Sequence, residues 1–182
     1  MGLSQLTLNG FNIEGNLFLN RLALDYSHGV SLNLDNNFLE EGNDKTQGLD
    51  IHIPWTTGFG VGYRFNNWLN LRLEPKWHQF ELYYDGAEQS SGNLIGDYTT
   101  FTLGLGAYAN LKPFKNQDNF LKGIMIVPKV RFWPKVSSSL ENDQLSYFND
   151  LTEQQEIHEA REIGIGNTPF FFNMSVGYSV KF

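Results

Sequence analysis

The sequence FFFNMSVGYSVKF, residues 170–182, alternates between two kinds of side chain as far as its last residue. Its even-numbered positions are apolar or aromatic, whereas its odd-numbered positions from Asn173 to Lys181 are small or polar. A period of two is the pattern of a β-strand whose two faces meet different surroundings. We predict that the apolar face meets lipid.

Length and composition limit the classes of protein to which the chain can belong. Its 182 residues are enough for a single domain, residues 1–182, with a sizeable interior. The absence of cysteine excludes disulfides, thiolate metal ligands and thiol nucleophiles. The longest apolar runs are like GIMIV at residues 123–127, far shorter than the ~18 residues of a membrane helix. Any span across a membrane must therefore be a strand.

Strand-like stretches follow one another along the chain, joined by connections that are alternately short and long. Short turns at one end and long loops at the other are typical of bacterial transmembrane barrels. We therefore predict an all-β, antiparallel up-and-down transmembrane β-barrel of about eight strands, seven of them readable from the sequence. The seven predicted strands are residues 7–19, 21–34, 51–65, 68–84, 98–111, 122–137 and 170–182.

The two faces of these strands differ in polarity. In the third strand Ile51, Ile53 and Phe59 are expected on an oily outer face, with glycines and polar residues opposite. Glycines on the polar face would give room to long side chains in a narrow interior. Charges there must pair, so we expect a salt-bridged filling of the lumen, with a proton or ion path as the alternative. The predicted interior charge network consists of Glu14, Asp25, Arg64, Arg72, Glu74, Lys76, Lys129 and Arg131.

Acidic residues are concentrated in three long loops, residues 35–50, 85–97 and 138–169. These loops hold 15 of the 20 acidic residues and only two basic residues, Lys45 and Arg161, which gives them a net charge of −13. A surface of that sign repels phosphate, so we expect no nucleic-acid partner.

Three segments resemble the small outer-membrane β-barrel family of Gram-negative bacteria: MSVGYSVKF, TTGFGVGYRF and NLRLEPKWHQFELYY. The resemblance extends over nearly the whole chain, whose texture is similar to that of members from Bacteroidetes. It implies location in the outer membrane, contact with outer-membrane lipid, and insertion by the barrel-assembly machinery. The signal read by that machinery would be the terminal strand, with Tyr178, Val180 and Phe182.

The chain departs from this family in its number of strands. Bacterial single-chain barrels have an even number, whereas seven can be read here. Either residues 1–6 begin a partial first strand, or a strand and a signal peptide lie upstream of Met1. We favour the second explanation.

The chain has four histidines, the residue type most often used in general acid–base catalysis and common as a metal ligand. Outer-membrane lipid A deacylases resemble one another in a His-x-Ser pair backed by a Glu, but here Ser31 is expected to point inward, away from His28. His52 and His78 are expected inward, and His158 in a charged loop helix. We therefore predict no metal and no cofactor, and leave enzyme activity open while favouring its absence.

Three functions remain as hypotheses. The first is a small closed barrel with a structural, surface-interaction or assembly role, whose acidic loops bind a surface or periplasmic protein. The second is an outer-membrane lipid-modifying enzyme with catalytic groups at the external rim, from His28, His52 or the last loop. The third is a soluble lipocalin-like barrel, which would need an apolar interior.

Overall fold

The structure is a computed structural model that describes residues 10–34, 48–164 and 166–180. These residues form ten β-strands and two short 3-10 segments, without an α-helix. No helix among them is both long enough and apolar enough to cross a membrane. The strands are β1 (Phe11–Leu19), β2 (Leu22–Leu34), β3 (Leu49–Arg64), β4 (Leu69–Tyr84), β5 (Gly96–Ala109), β6 (Ile124–Phe132), β7 (Lys135–Ser138), β8 (Gln144–Asn149), β9 (Gln154–Glu159) and β10 (Phe170–Tyr178).

The strands form one curled antiparallel sheet in the order β1-β2-β3-β4-β5-β6-β10. The short strand β7 also pairs with β5, and β8 and β9 form a separate hairpin. Every neighbouring pair along the main order is antiparallel, so the end strands β1 and β10 run in the same direction. Among the described residues no ladder joins these two strands, and the sheet is an open half-barrel.

The prediction of an all-β, antiparallel fold is confirmed, and each of the seven predicted strands has a counterpart. The sixth is not continuous, because the span 122–137 divides into β6 and β7 at Trp133 and Pro134. Proline has no backbone N–H to donate to a ladder. At the break the Trp133 N–H instead donates to the Pro169 carbonyl oxygen at 2.7 Å. Residues 1–9, 35–47, 165, 181 and 182 lie outside the described residues.

The outer face of the main sheet is apolar over most of its height. One row of paired residues crosses all seven strands, from Leu17 of β1 through Leu73 of β4 and Leu105 of β5 to Phe170 of β10. The rows above and below it are also apolar. We call this surface the outer belt, and its exposed members include Ile13, Leu17, Tyr26, Phe59, Val61, Leu71, Leu73, Leu103, Leu105, Val130, Phe172, Met174 and Val176.

The inner face behind the outer belt is polar, and glycine makes room for its side chains. A Cβ added at Gly60 would lie 1.9 Å from Asp25 Oδ2, and one added at Gly104 would lie 1.6 Å from Trp133 Cδ1. Both positions must therefore remain glycine if Asp25 and Trp133 are to lie where they do. We call the belt and this polar interior the lower section of the molecule.

Beyond the outer belt, β2 to β5 continue into an upper section that also includes β8 and β9. There the interior is apolar, and the ring of Phe80 stacks on that of Tyr98 at 5.0 Å between centroids. The outer face is polar instead, with Gln79 donating to Asp97 at 2.8 Å. The upper core consists of Leu32, Leu49, Ile51, Ile53, Phe80, Leu82, Tyr98, Tyr147 and Ala160.

The expected orientations of Ile51, Ile53, His52 and Ser31 are wrong. Between His52 and Thr56, β3 contains one residue more than β4, so the side chains before this bulge are out of step with the alternation that follows it. Strand β2 changes face at the same level, where Ser31 has φ +56°. As a result Ile51 and Ile53 are buried in the upper core, whereas Ser31 and His52 lie on the outer side.

The expected loop helix around His158 is also wrong, because this residue lies in strand β9. The partner strand β8 alternates between inward Tyr147 and Asn149 and exposed Ser146 and Phe148, which is the period of a strand. The hairpin covers the upper core, and Tyr98 OH lies 3.0 Å from His158 Nε2.

Candidate functional site

Glu14 of β1 lies at the centre of the charged interior. Its carboxylate accepts a hydrogen bond from Lys129 Nζ and lies 3.5 Å from Arg72 Nη1 and 3.6 Å from Arg131 Nη2. The Glu14 side chain is only 7% exposed. Since Lys129 and Arg131 belong to β6, these contacts tie the first strand to the far side of the curled sheet.

Asp25 of β2 is held by Arg72 of β4. Arg72 Nη1 donates to Asp25 Oδ2 at 2.9 Å, and both side chains are 1% exposed. The same guanidinium donates from Nε to Asn70 Oδ1 at 2.6 Å and lies 3.9 Å from the centre of the Tyr108 ring. Two charges and an aromatic face therefore pack together without solvent.

Glu74 of β4 is fully buried and accepts hydrogen bonds from aromatic donors. The Tyr108 hydroxyl donates to Oε1, and Trp133 Nε1 donates to Oε2 at 3.0 Å. Arg131 Nε lies 3.5 Å from Oε2, and Lys76 Nζ lies 3.9 Å from Oε1. Each of the three interior carboxylates thus has a basic partner.

The structure brings seven of the eight predicted network residues together and leaves Arg64 apart. Arg64 lies at the last position of β3, where its Nη1 donates to the Asn20 carbonyl oxygen at 3.0 Å. The network also uses Tyr108 and Trp133, which the sequence prediction did not include. The alternation places Tyr108 on the inner face of β5, and Trp133 directly follows Phe132, the last residue of β6. These positions could have predicted that both residues join the network.

This arrangement can hold strands in place. A buried ion pair that loses one partner leaves an uncompensated charge, so the contacts disfavour any uncurling of the sheet.

Above the network a cavity of about 40 Å³ separates the two sections, lined by Lys76, His78 and Trp133 from below and by Leu32 and Ile53 from above.

The residues of the predicted assembly signal lie at the end of β10. Tyr178 and Val180 are 59% and 62% exposed, and Phe182 lies outside the described residues. The Tyr178 ring packs closely on Gly123, where an added Cβ would lie 2.3 Å from Cζ. Their role in assembly stays a prediction.

His28 and His78 lie in different surroundings and do not form a common site. His28 is half-buried on the outer side, and its Nδ1 has no hydrogen-bond partner in the structure. His78 is inward as expected, between the hydroxyls of Thr56 at 2.7 Å and Thr102 at 3.0 Å. In the part of the chain that the structure describes, no group of three His, Cys, Asp or Glu residues could hold a metal ion.

Comparison with known proteins gives no family: no family model, no curated protein and no solved structure matches this chain. The likeness to small outer-membrane barrels therefore stays a prediction.

Proposed function

We propose that this chain is a membrane-spanning β-barrel protein of the Gram-negative outer membrane, with the outer belt in contact with lipid. The observation that supports the proposal is the reversal of polarity between the two sections. On the outer face of β4, Leu71 and Leu73 of the lower section are followed by Gln79 and Glu81 of the upper section. On the inner face the order is opposite, with charges below and the upper core above.

A single solvent does not account for this reversal. In water, an antiparallel sheet buries its apolar face and exposes its polar one, as the upper section does. The lower section does the opposite, which is the arrangement of a strand with lipid outside and a polar lumen inside. The proposal therefore assigns the lower section to the membrane and the upper section to the aqueous side.

The dimensions of the lower section agree with this assignment. Strands β1, β6 and β10 are each nine residues long, and a tilted transmembrane strand needs ~9–11 residues. Aromatic side chains lie toward both margins of the belt, with Trp55 and Trp77 at the upper margin and Tyr63, Phe65 and Trp68 at the lower one. Such girdles are typical of transmembrane barrels.

Closure of the barrel requires one more strand. Because β1 and β10 run in the same direction, an antiparallel closed barrel needs a strand of opposite direction between them. That strand would make the total of long strands eight. The contacts of Glu14 with Lys129 and Arg131 link β1 to β6, the neighbour of the other end strand β10.

The filled interior favours a structural or surface-interaction role over solute passage. Paired side chains occupy the lumen of the lower section, so transport through it would require breaking buried ion pairs. The acidic loops would then bind a surface or periplasmic protein. The origin of the chain in Bacteroidetes stays a prediction.

Refolding into detergent micelles and lipid vesicles tests the proposal. We expect the protein to insert, and its boiled and unboiled forms to migrate differently on a denaturing gel, because a closed barrel resists the detergent until heated. A chain that folds in plain buffer and does not partition into vesicles would contradict the proposal and favour the soluble barrel.

A further inference from the structure

Three side chains on the outer side of the upper section form a hydrogen-bonded series. Ser31 Oγ lies 3.4 Å from His52 Nε2, and His52 Nδ1 lies 3.0 Å from Glu81 Oε2. The residues come from three neighbouring strands, β2, β3 and β4. A hydroxyl, an imidazole and a carboxylate in this order are the parts of a serine hydrolase triad, recognised by geometry and not by position in the chain.

The backbone at Ser31 is unusual for a strand. Its φ is +56°, and among the described residues it is the only non-glycine residue inside a β-strand with positive φ. The others lie in turns, loops or a 3-10 segment. Left-handed backbone in a non-glycine residue costs about 1–3 kcal/mol and persists where surrounding structure enforces it, often at functional sites. Here it directs the Ser31 hydroxyl toward His52 and leaves it exposed.

Glu81 is in turn held by Tyr83. The Tyr83 hydroxyl donates to Glu81 Oε2 at 3.0 Å, and burial together with this carboxylate raises the pKa of Tyr83 to about 12. The tyrosine therefore remains a donor across the physiological range. In the neutral tautomer of His52 that donates from Nδ1 to Glu81, Nε2 is the ring nitrogen that can accept the Ser31 hydroxyl proton.

The position of Ser31, His52 and Glu81 relative to the outer belt indicates which kind of substrate could bind next to them. Val30, the residue before Ser31, belongs to the belt margin and pairs with Trp55, three residues beyond His52. In a bilayer, the ester bonds of lipids lie where acyl chains meet headgroups, which is also the level of an aromatic girdle. A lipid whose chains lie along the belt would thus bring its ester groups to the height of Ser31.

We propose that Ser31, His52 and Glu81 form an acyl-ester hydrolase site that acts on membrane lipids. Ser31 is the nucleophile and His52 the general base, both catalytic residues, and Glu81 is a positioning residue. The catalytic assignment stands on the geometry of the three side chains. The lipid as substrate class rests on the proposed membrane location.

The reaction consumes only the ester and water. Ser31 Oγ attacks the ester carbonyl carbon while His52 Nε2 takes the hydroxyl proton. The tetrahedral intermediate collapses, the ester C–O bond breaks, and the alcohol leaves with the proton from His52. Water then attacks the acyl-serine with His52 as base, which releases the fatty acid and restores Ser31.

Labelling and hydrolysis with water-soluble reagents test the catalytic assignment without a membrane. The refolded protein in micelles is treated with a fluorophosphonate probe and, separately, with a short-chain p-nitrophenyl ester. We expect labelling that Ser31→Ala abolishes, and hydrolysis that His52→Ala lowers at least about 100-fold. The controls Ser146→Ala, an exposed serine of β8, and His28→Ala should behave like the unmodified protein.

Glu81 is tested by two variants. Glu81→Gln should lower kcat at least about 10-fold with little change in KM, because a neutral amide no longer stabilises the positive charge that forms on His52, while the ester still binds. Glu81→Asp should recover part of the loss. Equal heat-dependent gel mobility of all variants would show that folding is intact, so that a lost activity is a lost chemical step.

Vesicles of phospholipid or lipopolysaccharide then test the lipid substrate class, with released fatty acid measured by mass spectrometry. Ser31-dependent release from vesicles is the expected result. Ser31-dependent hydrolysis of the soluble ester without insertion into vesicles would overturn the lipid class and the proposed function but not the catalytic site. Insertion without labelling of Ser31 would overturn the catalytic site and leave the proposed function standing.

Discussion

The lower and upper sections of this molecule use the same strands in opposite ways. Below, Leu73 and Leu105 face outward and Arg72 faces inward. Above, Leu82 faces inward and Glu81 outward. Both arrangements follow the period of two, so the difference shows that the surroundings of each face, and not the alternation itself, decide which residues are buried.

The boundary between the sections carries its own structure. At that level Ser31 and the extra residue of β3 change the faces of β2 and β3, so that Leu32 and Ile53 can join the upper core. The same change places Ser31 and His52 on the outer side, beside Glu81. The feature that changes the faces of β2 and β3 thus also creates the candidate hydrolase site.

The largest expected effect comes from breaking the polar interior of the lower section. Arg72→Met leaves Asp25 as a buried carboxylate without its basic partner, which should cost about 3–5 kcal/mol of unfolding free energy. Urea unfolding in micelles, followed by tryptophan fluorescence, measures the loss. Arg64→Met is the matched control, because Arg64 lies outside the network, and its effect should stay below about 1 kcal/mol. Equal losses would contradict the described network.

In the upper section the sensitive positions are apolar. Leu82→Ala removes a fully buried side chain from the upper core and should cost about 2–5 kcal/mol of local stability. We expect faster hydrogen exchange in β8 and β9, which cover this core, with the heat-dependent gel mobility unchanged. Loss of that mobility shift would mean that the two sections unfold as one unit.

Two exposed aliphatic residues distinguish lipid from water. Leu105 in the outer belt and Ile157 in β9 are 61% and 50% exposed. In vesicles Leu105→Arg should cost about 2–4 kcal/mol, because a charge then faces hydrocarbon. Ile157→Arg should stay within about 0.5 kcal/mol. Similar small costs for both variants would place both residues in water.

The smallest expected effect is a pH dependence of the β8–β9 hairpin. Hydrogen bonds from Thr152, Asn149 and Tyr147 hold the pKa of the Glu156 carboxyl below its ordinary value of 4.5. A lowered pKa in the folded state stabilises the hairpin above the ordinary pKa, and the contribution is lost as the pH falls through the folded value. Proteolysis at the turn 150–153 should therefore increase from about pH 6 to about pH 3. Glu156→Gln should remove that dependence.

The sequence was sufficient to predict the long strands. Alternation over nine or more residues is a strong signal, and it located β1 to β6 and β10, as well as the paired side chains around Glu14 and Glu74. It failed where one residue changed the period. In the sequence, a bulge is visible only as a shift by one residue between the alternation before it and the alternation after it. Pro54 in the third predicted strand was the residue that could have indicated such an irregularity.

The candidate hydrolase site was less accessible to sequence reasoning. Ser31, His52 and Glu81 are separated by 21 and 29 residues, so only the register of three strands brings them together. With a strict period of two, Ser31 and His52 point inward, and the series does not exist. Arg64 shows a different error. The alternation predicts it on the inner face, but it lies at the last position of β3 and is therefore outside the network.

Depth-dependent fluorescence quenching shows whether the outer belt lies in lipid, and the absence of native cysteine allows a single label at each chosen position. Leu105→Cys and Ile157→Cys, each labelled with a fluorophore, are refolded into vesicles that contain brominated lipid. We expect strong quenching of the label at position 105 by the brominated lipid and none at position 157, where a water-soluble quencher should act. Quenching of both labels only by the water-soluble quencher would contradict the assignment of the outer belt to lipid.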